Sequence, residues 1–522
     1  MKYINKITFF CLLCVQLLAV VGCTDWEEHY DEGGKRVSYN TTLWEEISSR
    51  PELAEFKSLL EEYGYKEMLD GSQMYTVFAP KGTIDTVGLS TAKIKKEVIE
   101  NHIARFAHSA NSATIDKDVV MLNAKEIKFT QNAGGYAFGN NMLTDDCNVG
   151  AKNGVLHVID GQQLFFHNIW EYLTTSSEFD NVRKYLYSQN DTILDENKSV
   201  KGEINEDGQQ EYLDSVINIS NSLLYRIGQL NNEDSTYTML LPTNEAWDKA
   251  YTRIKGYYQY PNNIEKKKRD SLQKVYTEFS IVRDLVFSHT VQKSIQDSLK
   301  STTGNVFEKP FENILSDYVR KDVCSNGEVY VVDELKHNPW DSWHNEIVIE
   351  AERANALDET ATTGANIFRR TLPTSDSLYA KVSGGSYVEF IPKSSIEKPT
   401  ITFNVWNTLS GKYNVKVVFL PQSMASNNKG GVSRKNLFHM HRSVLNRQGE
   451  LASQLLKNNA MNDPLRIDTL NIGTINLSYC AYGTEQISLK LKMESLSEKS
   501  GSDEKFSTTY LIDCIILEPS NK

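Results

Sequence analysis

The sequence predicts a multidomain chain of two α+β domains followed by an antiparallel β-sandwich. Three observations lead there. The chain has 522 residues, more than one hydrophobic core usually organises. A strand-turn-helix pattern occurs twice in its first two thirds. Beyond about residue 346, helical spacing gives way to period-two alternation. With 40% hydrophobic and 10% aromatic residues and no long low-complexity tract, each domain has the material for a core.

The repeat sets the organisation. Residues 75–80 read YTVFAP and residues 237–244 read YTMLLPTN, each an apolar β run that stops at a proline; Thr243 or Asn244 is suited to cap the helix that follows. Asn101-His102 and Ser288-His289 each end an amphipathic helix and are matched to one another. A closing strand follows in both copies, NGVLHVID at 153–160 and NGEVYVVD at 326–333, with Asn-Gly as its turn signal. Residues 43–69 and 169–187 place apolar side chains at helical spacing ahead of each copy.

These elements, in this order, resemble the fasciclin domain, whose pattern is a Thr-Val-Phe-Ala-Pro-Thr-Asn segment, a mid-domain histidine and Asn-Gly-x-x-His-Val-Ile-Asp. The resemblance covers about residues 36–335 and divides them into 36–165 and 166–335. Lys81-Gly82-Thr83 replaces Thr-Asn in the first copy, Tyr330 replaces the strand histidine in the second, and residues 190–218 are an insertion. An adhesion site known elsewhere in the family is therefore not carried over. Phe78, Val155, Val158 and Ile159 are expected in the core, and His102, His157 and His289 are expected as hydrogen-bonded structural histidines.

In the C-terminal third, Tyr413, Val415, Val417 and Phe419 share one strand face, as do Ile487, Leu489, Leu491 and Met493. Trp340 and Trp343 fall in the junction before it, and residues 421–462 read as a polar excursion with helix around 446–458. Glu350-Ala351-Glu352, Tyr387-Val388-Glu389-Phe390 after a glycine pair, Ser410-Gly411-Lys412-Tyr413 and the closing LIDCIILEP resemble a carbohydrate-binding module of the family 6 and 35 type, a β-jelly roll, over 346–520. The resemblance implies a structural calcium held by Glu350, Glu352 and Asp513, a set of hard oxygen donors. Alternation places Trp406 opposite the apolar face of Ile401, Phe403 and Val405, and Tyr387 opposite Val388 and Phe390. Tyr387 and Trp406 are thus the candidate glycan-stacking aromatics.

Lys2 and Lys6 precede a short apolar run at 8–21, which reads as a signal peptide over 1–22. Val20-Val21-Gly22-Cys23 resembles a bacterial lipobox, so Cys23 is the expected acylated N-terminus. The acidic segment 23–35 resembles the tether of Bacteroidetes-type surface lipoproteins, which implies a lipid anchor in the outer membrane facing the exterior. Cys147, Cys324, Cys480 and Cys514 show no Cys-x-x-Cys pair; Cys480 and Cys514 are read as buried thiols or a disulfide.

A net charge of -12 without a clustered basic face argues against nucleic acid. Lys266, Lys267, Lys268 and Arg269 read as a solvated helix face. Serine-elbow, zinc-helix, phosphate-loop and dinucleotide motifs are missing, and no enzyme activity is expected. Residues 203–214 are a poor calcium loop, and His439 and His441 an exposed pair without a third ligand. The expected function is a non-catalytic surface lipoprotein that binds polysaccharide alongside outer-membrane glycan-uptake proteins. The alternative is adhesion or assembly through protein contacts of the fasciclin-like domains.

Overall fold

The computed structural model describes residues 40–84, 92–111, 115–132, 134–194, 196, 199–204, 210–214, 217–290, 297–428, 431–496, 499–500 and 503–520. The signal peptide, Cys23 and the acidic tether lie outside the described residues. Where the sequence divides into three folded domains, the chain forms two compact units: residues up to Asn168 with 232–234 and 324–326, and the remainder. No described helix is long and apolar enough to cross a membrane.

The first unit begins with a helix, Leu43–Ser48, fixed by a capping box in which Thr42 and Glu45 each bond the other's backbone N–H. Its sheet orders Ile103–Arg105, Tyr75–Pro80, Gly154–Ile159 and Val149–Ala151. Tyr75–Pro80 and Gly154–Ile159 run parallel in the centre and are buried along their whole length, so both read as continuous apolar runs. One face packs on Leu43, Ile47, Phe56 and Leu60 from the helices. On the other, Phe78 and Ile159 meet Phe129 and Phe138 of an antiparallel sheet spanning residues 116–142. The rings of Phe78 and Phe138 stack at 3.7 Å.

The second unit repeats the arrangement: Val286–Ser288, Tyr237–Pro242, Gly327–Val332 and Arg320–Cys324, with the register kept, since Tyr75 faces Gly154 and Tyr237 faces Gly327. These two glycines have φ of 152° and 143°, and a Cβ on either would lie 1.9 Å or 1.8 Å from the facing tyrosine carbonyl oxygen. Close approach of the parallel strand, more than a hairpin turn, is what the Asn-Gly signal encodes. Asn153 also ties the strand to the helices: its side chain accepts from the Leu43 N–H and donates to the Leu69 and Gly71 carbonyls. In the second unit Thr243 caps helix Asn244–Ile254 through the Ala246 N–H.

The expected pairing of His102 with His289 is corrected by four residues. Phe78 N–H donates to the His102 carbonyl and Leu240 N–H to the Leu285 carbonyl, each at 2.8 Å, so Leu285 occupies the place of His102. His289 instead matches Phe106: both have positive φ, 67° for Phe106 and 66° for His289, and the carbonyls accept from Thr76 and Thr238. His289 is exposed, not a buried structural histidine. The motif Asn-His/Ser-His aligned by residue type, whereas the strand register aligns by backbone pairing.

The insertion forms two antiparallel ribbons, Asn190–Leu194 with Ile217–Asn221 and Val200–Ile204 with Gln210–Asp214. Positions 205–209 of the calcium-loop reading lie outside the described residues. Helix Lys266–Val282 begins with the basic run, whose Lys266 pairs with Asp270 on the surface.

The C-terminal region is two antiparallel sheets around one core. One orders Ala365–Thr371, Ser386–Pro392, Tyr510–Pro519, Gly411–Phe419 and Asp468–Leu477, with Ile347–Glu350 also pairing Tyr510–Pro519. The other orders Thr400–Val405, Leu489–Ser495, Leu437–Leu445 and Leu451–Met461. Tyr413, Val415, Val417 and Phe419 meet Ile401, Phe403, Leu489, Leu491 and Met493 in the shared core. The helix expected at 446–458 is absent; residues 451–461 are an edge strand. Its side chains are mostly exposed, so no apolar alternation betrays it, and a turn at Asn446–Gly449 returns it onto 437–445. This region packs on the second repeat through Trp343 against Tyr257 and through Cys480 N–H donating to the Gln259 carbonyl at 2.7 Å.

Candidate cation site and polar cleft in the C-terminal region

Three acidic side chains converge beside the central, closing strand of the six-stranded sheet. Glu350 ends its opening strand and Glu352 follows in a turn; Asp513 lies in the closing strand. The closing strand carries a bulge there. Val417 pairs with Ile515 and Phe419 with Ile512, so Val418 alone faces both Asp513 and Cys514. Tyr510, Ile512, Ile515 and Leu517 all enter the core, and the extra residue turns Asp513 and Cys514 away from it together. Ligand atoms of Glu350, Asp513 and Cys514 lie within 4.8 Å of one another.

The glycine pair supplies the third wall. Ser383 N–H donates to both Asp513 oxygens at 3.1 Å, and its hydroxyl donates to Glu350 Oε1 at 2.5 Å. The Glu352 carboxylate is bonded by its own backbone N–H, and Oε2 of both Glu350 and Glu352 is buried without a partner. Burial, with Glu350 and Glu352 adding like charge against the Ser383 amide, pushes the Asp513 carboxyl up to about 7. Burial also raises the Glu352 carboxyl, with Glu350 adding to it and Arg353 and Arg369 opposing. Buried carboxylates that repel each other and leave oxygens unbonded fit a bound cation, which supplies the missing charge and the missing partners.

The two aromatic candidates fare differently. Alternation sends Tyr387 to the face opposite Val388 and Phe390, but that face is not open to solvent. Tyr387 is only 6% exposed, packed with Leu372, Val382, Leu420, Ala425 and Leu511 in a second small core. Its expected role as a stacking platform is therefore corrected: segment 372–382, just before it in the chain, and segment 420–426, distant in sequence, cover it. Beside it, Glu389 is buried and bonded by Arg370 and Ser426. Trp406 sits just past the end of strand Thr400–Val405, half-buried, with its indole N–H donating to the Asn355 carbonyl at 3.2 Å.

A cleft of about 350 Å³ was not legible in the sequence, because it joins four loops or strand ends: residues 391–395, 422–428, 432–434 and 507–509. Ser394, Gln422, Asn427, Asn428 and Ser507 give it amide and hydroxyl walls, with Arg434 as the cationic group. Its floor is pre-organised. Gln422 Nε2 donates to Asn436 and to the Thr509 carbonyl, Ser507 Oγ donates to Gln422 Oε1, and Asn427 donates to Thr509 Oγ1 at 2.9 Å. Neither Tyr387 nor Trp406 lines it.

The remaining candidates have ordinary partners. His102 bonds the Val98 carbonyl and accepts from Gln163 N–H; His157 accepts from Asn148 N–H and bonds the His108 carbonyl. His441 pairs with Glu494 at 3.0 Å, and His439 accepts from Asn459 N–H. Cys480 and Cys514 are not joined in a disulfide and stand as buried thiols.

Comparison with known proteins returned matches to parts of the chain. The matched region spans 98% of a FAS1 domain pair from the insect cell adhesion molecule fasciclin I and 56% of this chain, at 15% identity and a TM-score of 0.21. A family 35 carbohydrate-binding module from Clostridium thermocellum is matched over 97% of its length and 33% of this chain, at 12% identity and a TM-score of 0.19. An exo-β-1,3-galactanase from Phanerochaete chrysosporium is matched over only 29% of its length and 33% of this chain, at 14% identity and a TM-score of 0.18. No curated protein matches. The fasciclin domain family matches residues 51–162, and the first α+β repeat therefore carries a fasciclin domain.

Proposed function

We propose that this chain is a non-catalytic cell-surface binding protein, in which two fasciclin-like domains carry a C-terminal jelly roll that binds glycan. The observation that carries this reading is the polar cleft. Its pre-bonded amides and hydroxyls suit a polyhydroxylated ligand, which exchanges water for fixed donors and acceptors at little cost in ordering. Trp406 keeps part of its ring accessible at a separate place and remains a candidate stacking surface. The test is affinity electrophoresis on a panel of plant, host and microbial polysaccharides. Retardation that Asn427→Ala and Arg434→Ala weaken supports the cleft; no retardation on any polysaccharide overturns it.

Glu350, Glu352 and Asp513 are proposed to hold a structural cation, calcium by the resemblance, which would neutralise the cluster and tie the opening strand to the closing one. The proposed setting is the outer face of the outer membrane, through acylation of Cys23, beside glycan-uptake proteins. Cys23→Ala should abolish palmitate incorporation and release the chain from membranes; retained labelling refutes the anchor.

A second reading is favoured by the fasciclin match at 51–162: adhesion or assembly through protein contacts of the repeats. It becomes the better one if the polysaccharide panel is negative.

A further inference from the structure

Cys514 is unexplained by a calcium site. It is 3% exposed. A lone buried cysteine is ordinarily an inert apolar side chain. Here the bulge denies it that role. With regular alternation Asp513 and Cys514 would project to opposite faces, whereas the extra residue opposite Val418 turns both out of the core. Cys514 also sits directly across from Glu350 in the antiparallel pair with the opening strand, where side chains share a face. Its sulfur thus stands within 4.8 Å of the Glu350 and Asp513 oxygens, in a cluster where Glu350 Oε2 is itself buried and unbonded.

Two hard oxygens and one sulfur at such separations are a donor set that calcium uses poorly and zinc uses well. Zinc binds cysteine sulfur and carboxylate oxygen together in four-coordinate geometry, and soft thiolate donors select it over calcium and magnesium. We propose that Glu350, Asp513 and Cys514 form a mixed carboxylate-thiolate centre that takes Zn²⁺ in preference to Ca²⁺. Binding replaces the S–H bond of Cys514 by a sulfur–metal bond and releases one proton to solvent, with no change of oxidation state. The proposal rests on the reading that these acids hold a cation, and adds which cation they select and through which atom.

The test uses the full chain, stripped with chelator and then titrated with Zn²⁺, Ca²⁺ or Cd²⁺, the last as a spectroscopic stand-in for zinc. The expected results are an ultraviolet thiolate-to-Cd²⁺ charge-transfer band that zinc displaces, and a rise in melting temperature with Zn²⁺ that excess Ca²⁺ does not reproduce. In Cys514→Ser the band should vanish and Zn²⁺ affinity fall at least about tenfold, while Ca²⁺ affinity stays unchanged. Stabilisation by Ca²⁺ with no thiolate band, or equal Zn²⁺ affinity in Cys514→Ser, overturns the mixed centre and leaves the cation reading standing. Failure of every ion to bind or stabilise the wild-type chain overturns both. If Cys514→Ser does not fold, Glu350→Gln keeps the thiol and should cost a similar factor in Cd²⁺ affinity; an unaltered titration assigns the band to another cysteine and overturns the proposal.

Discussion

Acidification should unfold the first unit well before ordinary acid denaturation. His102 and His157 are buried, and each has both ring nitrogens engaged in a way that suits the neutral imidazole: one nitrogen donates to a carbonyl and the other accepts from a backbone N–H. Burial lowers each to about 4 from an ordinary value of 6.5; at His157 the charges of His108 and Lys117 add to this, and the carbonyl bonds oppose it at both. Phe56 faces the His102 ring, and Phe78 and Phe129 face that of His157. With the folded value below the unfolded one, the unfolded chain binds more protons between pH 6.5 and 4. Stability is therefore whole above about pH 6.5 and is lost as pH falls toward 4. At pH 5 the loss is about 2 kcal/mol per histidine, or about 4 kcal/mol for the pair, a large share of the 5–15 kcal/mol typical of a domain. Hydrogen exchange read on peptides from Tyr75–Pro80 and Gly154–Ile159, corrected for intrinsic rates, should show opening about a thousandfold more populated at pH 5 than at pH 7. In the double variant His102→Gln, His157→Gln the pH dependence should largely disappear, whatever its baseline stability. Wild-type protection at pH 5 within about 1 kcal/mol of that at pH 7 would refute the reasoning.

Other expectations follow from single contacts. Gly154→Ala sets a Cβ against the Tyr75 carbonyl at positive φ and should cost more than about 3 kcal/mol in urea unfolding; a loss below about 1 kcal/mol would mean the central strands can separate freely. Asp284, 1% exposed, accepts from Ser301, Thr303, Asn305 and Ser342, which together hold its carboxyl below the usual range against the effect of burial. Asp284→Asn should therefore destabilise the second unit by about 2–4 kcal/mol at neutral pH, and by less as pH falls through the carboxylate range, where the wild type loses the same bonds. Tyr387→Ala should cost about 3 kcal/mol by opening the small core, while Trp406→Ala costs about 1; equal effects in chemical denaturation would contradict their different burial. Zinc should raise the melting temperature of the wild-type chain, and Asp513→Asn should abolish the rise; persistence of the full shift in that variant would place the ion elsewhere.

The sequence by itself determined what local pattern encodes. Period-two alternation put Ile401, Phe403, Val405, Tyr413, Val415, Val417 and Phe419 in the core, because a pleated strand with one buried face has no other way to hide them. The recurrence of an apolar strand ending in proline and of Asn-Gly before a second apolar run marked two copies of one sheet, since close parallel packing needs glycine at Tyr75 and Tyr237 alike. It also named Glu350, Glu352 and Asp513, which the structure gathers. Tertiary structure decided the rest. A one-residue bulge, invisible to periodicity, turned Cys514 toward the acids. Leu420, Ala425 and Leu511, distant in sequence, closed over Tyr387, which alternation had placed on the outer face. Backbone pairing reassigned the place of His102 to Leu285, although residue type pointed to His289. The polar cleft exists only where four separate chain segments meet. Alternation fixes which side of a sheet a residue takes; what lies on that side is set by long-range contacts that no local pattern contains.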